Sequence, residues 1–184
     1  DSRKLSGGFL YLIDLIYNPA IVAKIGKIFA SNLDYSEADY VVTMETKGIP
    51  MALMTAKAMN LPLVIIRKDM KVSEGPTLRM TYVTGGSNKV ESMSLPRKAL
   101  KPDSKVILID DFMRGGGTLK GMKDLMNEFG AKVIGTGVFI STTKPQQKMV
   151  EDYISLIELD DNGETTIAKP NFKRFKDEYR ELQF

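Results

Sequence analysis

Residues 106–122 have the sequence VILIDDFMRGGGTLKGM, in which an apolar run leads into two acids, three glycines and a helix-forming segment. Four consecutive apolar residues are typical of a strand that is buried on both faces of a parallel sheet. The glycines allow the backbone to turn tightly and to approach a ligand closely. We therefore predict a buried strand over 106–109 that ends at the acids, a glycine-rich loop, and a helix that begins near Thr118.

The order of these groups predicts a ligand that has both hydroxyl groups and a phosphate. Ligands of open α/β sheets bind at the carboxyl ends of the strands. The carboxylates of Asp110 and Asp111 are costly there unless hydroxyls, cations or water contact them. The free amides and the positive dipole end of the next helix favour an anion. A ribose 5-phosphate group meets both requirements.

Other motifs that combine glycines or acids fit the segment less well. A P-loop requires the pattern GxxxxGK[ST], which does not occur in the chain. A dinucleotide-binding fingerprint fails because Gly115 and Gly117 are followed at the third position by Lys120. A receiver domain has paired aspartates near its start, without three glycines after them. The remaining alternative is a strand-to-helix turn with a solvated pair of acids and no ligand.

Helical and strand-like segments alternate along the rest of the chain, which predicts a single α/β domain over residues 1–184. Strand–helix–strand units of this kind give a mostly parallel sheet with helices on both faces. Two strands around the turn at 85–87 form an antiparallel flap, in which we expect Tyr82 to pack. Methionines 51, 54 and 59 are expected in the core. The predicted helices are 19–33 and a second one up to Asn60, and the further strands are 40–44, 63–66, 78–84, 89–95, 133–140, 153–159 and 165–169.

Composition narrows the possible chemistry. The chain has 184 residues with no cysteine and no histidine, which excludes disulfides, thiolate metal sites, histidine ligands and serine–histidine catalysis. Its net charge of +3 does not indicate a strongly basic nucleic-acid surface. We see neither a signal peptide nor an apolar run of membrane-spanning length, and we therefore expect a cytoplasmic protein.

The signature of four apolar residues, two acids and a glycine-rich loop ending in threonine resembles that of the type I phosphoribosyltransferases. VVTMETKGIPMA (41–52) is similar to the diphosphate loop of the adenine and xanthine branches, and RKDMKVSEG (67–75) to the flexible hood loop. Together with GGFLYLIDL and YVTGGSNKVESMSL, these segments most resemble the pur operon repressor family of Gram-positive bacteria. The resemblance implies a type I phosphoribosyltransferase fold, in which a mostly parallel sheet is flanked by helices and carries a β-hairpin flap.

The resemblance also implies roles for individual residues. The two acids hold the ribose hydroxyls, while the loop backbone and the Thr118 hydroxyl hold the 5-phosphate. Residues 46–48 contact the diphosphate, with magnesium held mainly by the ligand. Lys68 and Lys71 close over the diphosphate, although solvated loop lysines are the alternative for these cations. The implied ligand-binding residues are Thr46, Lys47, Gly48, Lys68, Lys71, Asp110, Asp111, Phe112, Met113, Arg114, Gly115, Gly116, Gly117 and Thr118.

One departure from the enzymes in this family indicates a sensor. The fifth loop position is Arg114, followed by Gly115, where the 6-oxopurine branch has an aspartate and the adenine branch alanine–threonine. We therefore expect a homodimeric repressor of purine biosynthesis genes that has no catalytic residue and senses phosphoribosyl diphosphate. A winged-helix DNA-binding domain would precede residue 1, and guanosine tetraphosphate could compete for the pocket. An active purine phosphoribosyltransferase, or a dimerisation module with a vestigial pocket, are the alternatives.

Overall fold

A computed structural model describes residues 18–68, 75–84 and 89–160, together with the backbone of residues 165–167. Helices and strands alternate as the sequence predicts. In chain order the elements are α1 (Pro19–Asn32), β1 (Tyr40–Met44), α2 (Ile49–Met59), β2 (Leu63–Ile66), β3 (Thr77–Val83), β4 (Val90–Pro96), β5 (Lys105–Met113), α3 (Gly117–Glu128), β6 (Lys132–Thr142), β7 (Ile154–Leu159) and β8 (Thr165–Ile167).

The described strands form two sheets. The larger sheet has the order β2-β1-β5-β6-β7-β8, and its neighbours are parallel except for β7 and β8. Strands β3 and β4 pair antiparallel as a separate two-stranded sheet, which is the predicted flap. Because β1 and β5 are parallel neighbours, their carboxyl ends lie side by side at one edge of the large sheet.

Helices cover both faces of the large sheet, as predicted. The side chains of β5 alternate between two buried apolar clusters. Ile107 and Ile109 pack with α1 and α2, whereas Val106 and Leu108 pack with α3 and the flap. Removal of apolar surface from water on both faces stabilises this arrangement and explains why β5 is continuously apolar. The predicted core methionines lie in or against the first cluster.

The flap packs directly on α3, at a glycine. A Cβ atom at Gly121 would lie 2.8 Å from Cε of Met93 and 2.8 Å from Cβ of Tyr82. No larger residue could keep this spacing without moving the flap. The contact holds the flap beside the N-terminal half of α3.

The central strand is longer than predicted. The sequence predicts a strand that ends at the two acids, whereas β5 continues to Met113. Its neighbour explains the difference, because β6 extends to Thr142 and pairs with the acid-containing part of β5. Because the backbone of this part of β5 finds hydrogen-bond partners on β6, the strand continues although aspartate disfavours strands. Asp110 and Asp111 therefore lie on a strand and not on a loop.

Some predictions concern residues outside the described part of the chain. These are the flap turn at 85–87, most of the basic segment 67–75, the segment GGFLYLIDL and the last residues of the predicted final strand. Within the described residues, no helix has both the length and the apolar character needed to cross a membrane.

Candidate ligand-binding site

A cleft of about 360 Å³ opens at the edge where β1 and β5 end. The loop after β1, the residue that follows Arg67, the flap, and β5 with the first turn of α3 all contribute to it. This is the edge at which parallel α/β sheets bind ligands. The lining residues are Met44, Glu45, Thr46, Lys47, Lys68, Tyr82, Thr84, Glu91, Asp110, Asp111, Phe112 and Thr118.

Two neighbouring acids form one wall of the cleft. Asp110 is only 5% exposed, and its Oδ1 accepts a hydrogen bond from the backbone N–H of Asp111 at 3.0 Å. Burial, and next to it the negative charge of Asp111, raises the pKa of Asp110 to about 8. Burial also raises the pKa of Asp111, although Lys47 and Lys68 oppose the shift. The pair therefore retains a proton near neutral pH, which a bound cation or hydroxyl donors would displace.

The start of α3 lies next to the acids. Its N-cap residue is Gly116, whose φ of 84° and ψ of 10° are left-handed, a conformation that glycine adopts without strain. Among the described residues no side chain caps this helix, and its first turn has no acidic residue. The positive end of the helix dipole is therefore not compensated by the helix itself. Thr118, in the first turn, lines the cleft.

The loop between β1 and α2 supplies the cationic wall. Thr46 and Lys47 are exposed and line the cleft, and the Glu45–Thr46 peptide bond is cis. Glu45 accepts hydrogen bonds from the backbone N–H of Lys68 at 2.6 Å and from Nη1 of Arg67 at 3.1 Å. Burial acts to raise the pKa of Glu45, but these two hydrogen bonds outweigh it and lower the pKa below its usual value. The Glu45 carboxylate is thus ionised and already hydrogen-bonded within the protein, and it holds the backbone of Lys68 beside the cleft.

The flap supplies a wall that we did not predict. Tyr82 and Glu91 are cross-strand neighbours, and Oη of Tyr82 donates a hydrogen bond to Oε2 of Glu91 at 2.8 Å. Burial, followed by the bond to Glu91, raises the pKa of Tyr82, which keeps its hydroxyl protonated. Tyr82 packs in the flap as expected and also lines the cleft. The hairpin register could have identified Glu91, because it places that residue opposite Tyr82.

Half of the predicted ligand-binding residues lie together in the cleft lining. Met113 does not, because its side chain is 2% exposed and packs in the cluster beside α3, so that only its backbone is available. Gly48 is buried at the N-cap of α2, and Lys71 lies outside the described residues. Residues 114–117 are next to lining residues in sequence but are not part of the lining. The predicted residues that do line the cleft are Thr46, Lys47, Lys68, Asp110, Asp111, Phe112 and Thr118.

The cleft combines acids, lysines and an uncapped helix start. Acids accept hydrogen bonds from hydroxyl groups, and lysines and helix amides attract phosphates. Among the described residues, no group of three or more histidine, cysteine, aspartate or glutamate side chains could hold a metal ion. A divalent cation in this cleft would therefore need part of its ligand set from the bound molecule.

Comparisons with known proteins agree with this geometry. The model of the phosphoribosyl transferase domain matches residues 13–169. The purine biosynthesis transcriptional repressor PurR of Bacillus subtilis (strain 168) is 43% identical over 177 residues, which are 94% of this chain and 62% of that protein. The chain thus spans about three fifths of the length of that regulator. Xanthine phosphoribosyltransferase 1 of Clostridium botulinum is 33% identical over 137 residues, 73% of this chain and 72% of that enzyme.

The fold also has relatives among solved structures. The crystal structure of adenine phosphoribosyltransferase from Thermoanaerobacter pseudethanolicus superposes with a TM-score of 0.74, covering 86% of this chain and 95% of that one. At 20% sequence identity, the similarity concerns the fold alone. It confirms the predicted parallel sheet with flanking helices and a flap.

Proposed function

The chain belongs to the phosphoribosyl transferase domain family, and from this membership we propose that it is the effector-binding domain of a transcriptional regulator of purine biosynthesis that senses phosphoribosyl diphosphate. The observation that supports the ligand is the joint presence of Asp110, Asp111 and the uncapped start of α3 at one cleft. A ribose 5-phosphate group is the simplest molecule that satisfies both acids and amides.

We propose that the ligand lies along the cleft in a fixed direction. The carboxylates of Asp110 and Asp111 accept hydrogen bonds from the ribose hydroxyls. The backbone of 114–117 and the hydroxyl of Thr118 hold the 5-phosphate. Residues 46–48 and Lys68 contact the diphosphate at the opposite wall, and Phe112 borders the sugar. Magnesium, when bound, would be held mainly by the diphosphate and the hydroxyls, and among the described residues Asp110 and Asp111 are the acids next to those hydroxyls.

Two observations favour a regulator over an enzyme. The chain is 43% identical to a purine biosynthesis repressor over 94% of its length, but 33% identical to a xanthine phosphoribosyltransferase over 73%. The loop position after Met113 is Arg114, a long cation where the resemblance to the enzymes implies a residue that serves the base. We propose that this cation changes the base side of the pocket and prevents transfer.

The proposal extends to partners outside this chain. We propose that the whole regulator binds DNA as a homodimer whose symmetry matches two half-sites. Specific DNA contacts would come from a winged-helix domain before residue 1. A guanine nucleotide with diphosphate groups, such as guanosine tetraphosphate, would compete for the same amides and lysines. Displacement of phosphoribosyl diphosphate by that nucleotide in a titration tests the competition.

The experiment that tests the function combines binding with turnover. Calorimetry with phosphoribosyl diphosphate and magnesium should show saturable heat. The same protein incubated with adenine, guanine, hypoxanthine or xanthine should release no diphosphate above background. Steady release with any base would instead support the alternative function, a purine phosphoribosyltransferase, which the identity to the xanthine enzyme favours. No heat with the ligand would contradict both proposals and favour a dimerisation module.

A further inference from the structure

The glycine-rich loop accepts hydrogen bonds from a segment that no site prediction includes and that does not line the cleft. Nζ of Lys148 donates a hydrogen bond to the backbone oxygen of Arg114 at 2.5 Å. The backbone N–H of Met149 donates to the backbone oxygen of Gly115 at 2.9 Å. Both donors lie on the segment 143–150, which follows β6. We call these two donors the loop clamp.

The clamp fixes the direction in which the loop amides point. The cis peptide bonds of the described residues are Glu45–Thr46 and Lys144–Pro145, so the peptide planes after Arg114 and Gly115 are trans. In a trans peptide the C=O and the following N–H point in opposite directions. Because the carbonyls of Arg114 and Gly115 face the clamp, the N–H groups of Gly115 and Gly116 face away from it. The loop therefore presents donors, not acceptors, on its other side.

The segment that supplies the clamp is itself anchored at both ends. Nζ of Lys148 also donates to the backbone oxygen of Thr142 at 2.7 Å, which ties it to the end of β6. The N–H of Thr143 donates to the backbone oxygen of Leu159 at 2.9 Å. At the other end, Val150 is 5% exposed and packs in the apolar cluster that contains α3. The clamp thus connects the loop to the sheet and to the helix.

The loop also lies against this segment at Gly116. A Cβ atom at Gly116 would lie 3.4 Å from the backbone nitrogen of Val150 and 3.5 Å from that of Met149. Turning these carbonyls away from the clamp would break the hydrogen bonds to Nζ of Lys148 and to the N–H of Met149. A carbonyl turned to the front would meet a phosphate oxygen, which repels it.

We propose that Lys148 is a positioning residue for the 5-phosphate end of the ligand, acting through the backbone of Arg114 without contacting the ligand. This inference rests on the proposed function, since it assigns the 5-phosphate to the loop. A charged donor forms a stronger hydrogen bond than a neutral one, and Lys148 uses one ammonium group to bond two carbonyls. Its removal frees the Arg114 peptide to rotate and leaves the loop amides misdirected.

The test measures two probes on four proteins. Calorimetry with ribose 5-phosphate reports on the loop, and calorimetry with magnesium pyrophosphate reports on the opposite wall near Lys47. The proteins are the wild-type chain, Lys148→Met, Lys148→Arg, and Lys98→Met as a control at an exposed lysine on the loop after β4. We expect Lys148→Met to weaken ribose 5-phosphate binding about 10- to 100-fold, the range for lost charged hydrogen bonds, and to leave pyrophosphate binding unchanged. Lys148→Arg should restore most of the affinity.

Each other outcome has a distinct meaning. Equal ribose 5-phosphate affinity of Lys148→Met and wild type, or an equal loss for both probes, would overturn the positioning role. A wild-type chain that binds neither probe would overturn the proposed function and, with it, this inference. If Lys148→Met does not fold, Lys148→Gln, which keeps an uncharged NH2 donor, should show an intermediate loss confined to ribose 5-phosphate. Loss of pyrophosphate binding in that variant would also contradict the proposal.

Discussion

The β1–α2 and β5–α3 connections border the same cleft but offer a ligand different groups. After β1, the acid Glu45 is already bonded to Arg67 and to the backbone of Lys68, which leaves the exposed cation Lys47 for a ligand. After β5, the acids Asp110 and Asp111 have raised pKa values because they are buried together. Under the proposed function, one ligand would contact both turns, with its diphosphate at the β1–α2 wall and its hydroxyls at the β5–α3 wall.

The two helix starts differ as well. Gly48 precedes α2 in a right-handed conformation, and Pro50 in its first turn has no N–H to donate. Gly116 precedes α3 in a left-handed conformation, and the first turn of that helix contains no proline. Helix α3 therefore offers more amide donors than α2, which explains why we assign the 5-phosphate to α3.

The largest expected effect removes the acids of the β5–α3 connection. In Asp110→Ala with Asp111→Ala, we expect phosphoribosyl diphosphate binding to fall by more than about 100-fold, because charged hydrogen-bond acceptors are lost at two positions. The control is Glu151→Ala with Asp152→Ala, an adjacent exposed pair of acids outside the cleft lining. Calorimetry and circular dichroism measure binding and folding. Retained affinity in the Asp110 and Asp111 variant would show that the acids of the β5–α3 connection do not contact the ligand.

A second prediction contrasts the two ends of α3. Gly116 and Gly130 both have positive φ, 84° and 70°, so an alanine should cost each about 1 kcal/mol of unfolding free energy. Only Gly116→Ala should weaken ribose 5-phosphate binding, by about tenfold or more, because it displaces the loop amides. At Gly130 no atom of the described residues lies within 4 Å of the added Cβ atom, so its variant serves as the matched control. Equal affinities of the two variants for ribose 5-phosphate would show that the loop does not contact the phosphate.

The third prediction concerns pH. The pKa of Asp110 is about 8, so the free cleft holds a proton that a magnesium-bound ligand must displace. Affinity for phosphoribosyl diphosphate should therefore rise as pH increases from 7 to 9, by about tenfold. Calorimetry in two buffers of different ionisation enthalpy should show proton release on binding. Affinity that is flat over this range would contradict a functional role for the buried acid.

The raised pKa of Asp110 also predicts that the ligand-free chain becomes less stable as pH rises. The pKa of Asp110 is raised from its ordinary value of 3.8 to about 8 in the fold, so the folded chain keeps a proton that the unfolded chain releases. Its contribution to stability is thus fully present below about pH 3.8 and is lost as pH rises from there to about 8. Asp110→Asn should remove this loss and raise the thermal midpoint of the ligand-free chain at pH 8, while it abolishes binding. A lower midpoint at that pH would contradict the burial argument.

The smallest effect belongs to the β1–α2 connection. Lys47 is exposed, and the attraction of an exposed cation for a phosphate is reduced by solvent and salt. Lys47→Met should weaken phosphoribosyl diphosphate about fivefold, less at high salt, and leave ribose 5-phosphate binding unchanged. Lys57→Met, an exposed lysine in the last turn of α2, is the control. Weaker ribose 5-phosphate binding by Lys47→Met would instead indicate that the 5-phosphate lies near Lys47, which would contradict its assignment to the β5–α3 loop.

Local patterns predicted most of the fold. The apolar run of β5 and the glycine loop identified a strand-to-helix unit. Helix α3 begins one residue before its predicted start at Thr118, and α2 ends one residue before its predicted end at Asn60. The end of β5 could not be predicted, because Asp110 and Asp111 disfavour a strand locally and only pairing with β6 extends it.

The sequence predicted the site residues that lie in recognisable motifs, but not those that only tertiary contacts bring to the cleft. Tyr82 and Glu91 enter the cleft because the flap packs on Gly121, a contact between segments far apart in sequence. Lys148 reaches Arg114 across 34 positions, and no motif marks it. Such contacts depend on tertiary packing, which local propensity does not contain.

We propose that a sugar phosphate contacts the amides of the loop and the acids of β5 together. Titration of the 15N-labelled chain with ribose 5-phosphate, followed by amide NMR, tests it most directly. We predict the largest shifts at Gly115, Gly116, Gly117 and Thr118, with smaller ones at Asp111 and none at Gly130. Shifts that avoid residues 115–118, with binding intact, would contradict the account.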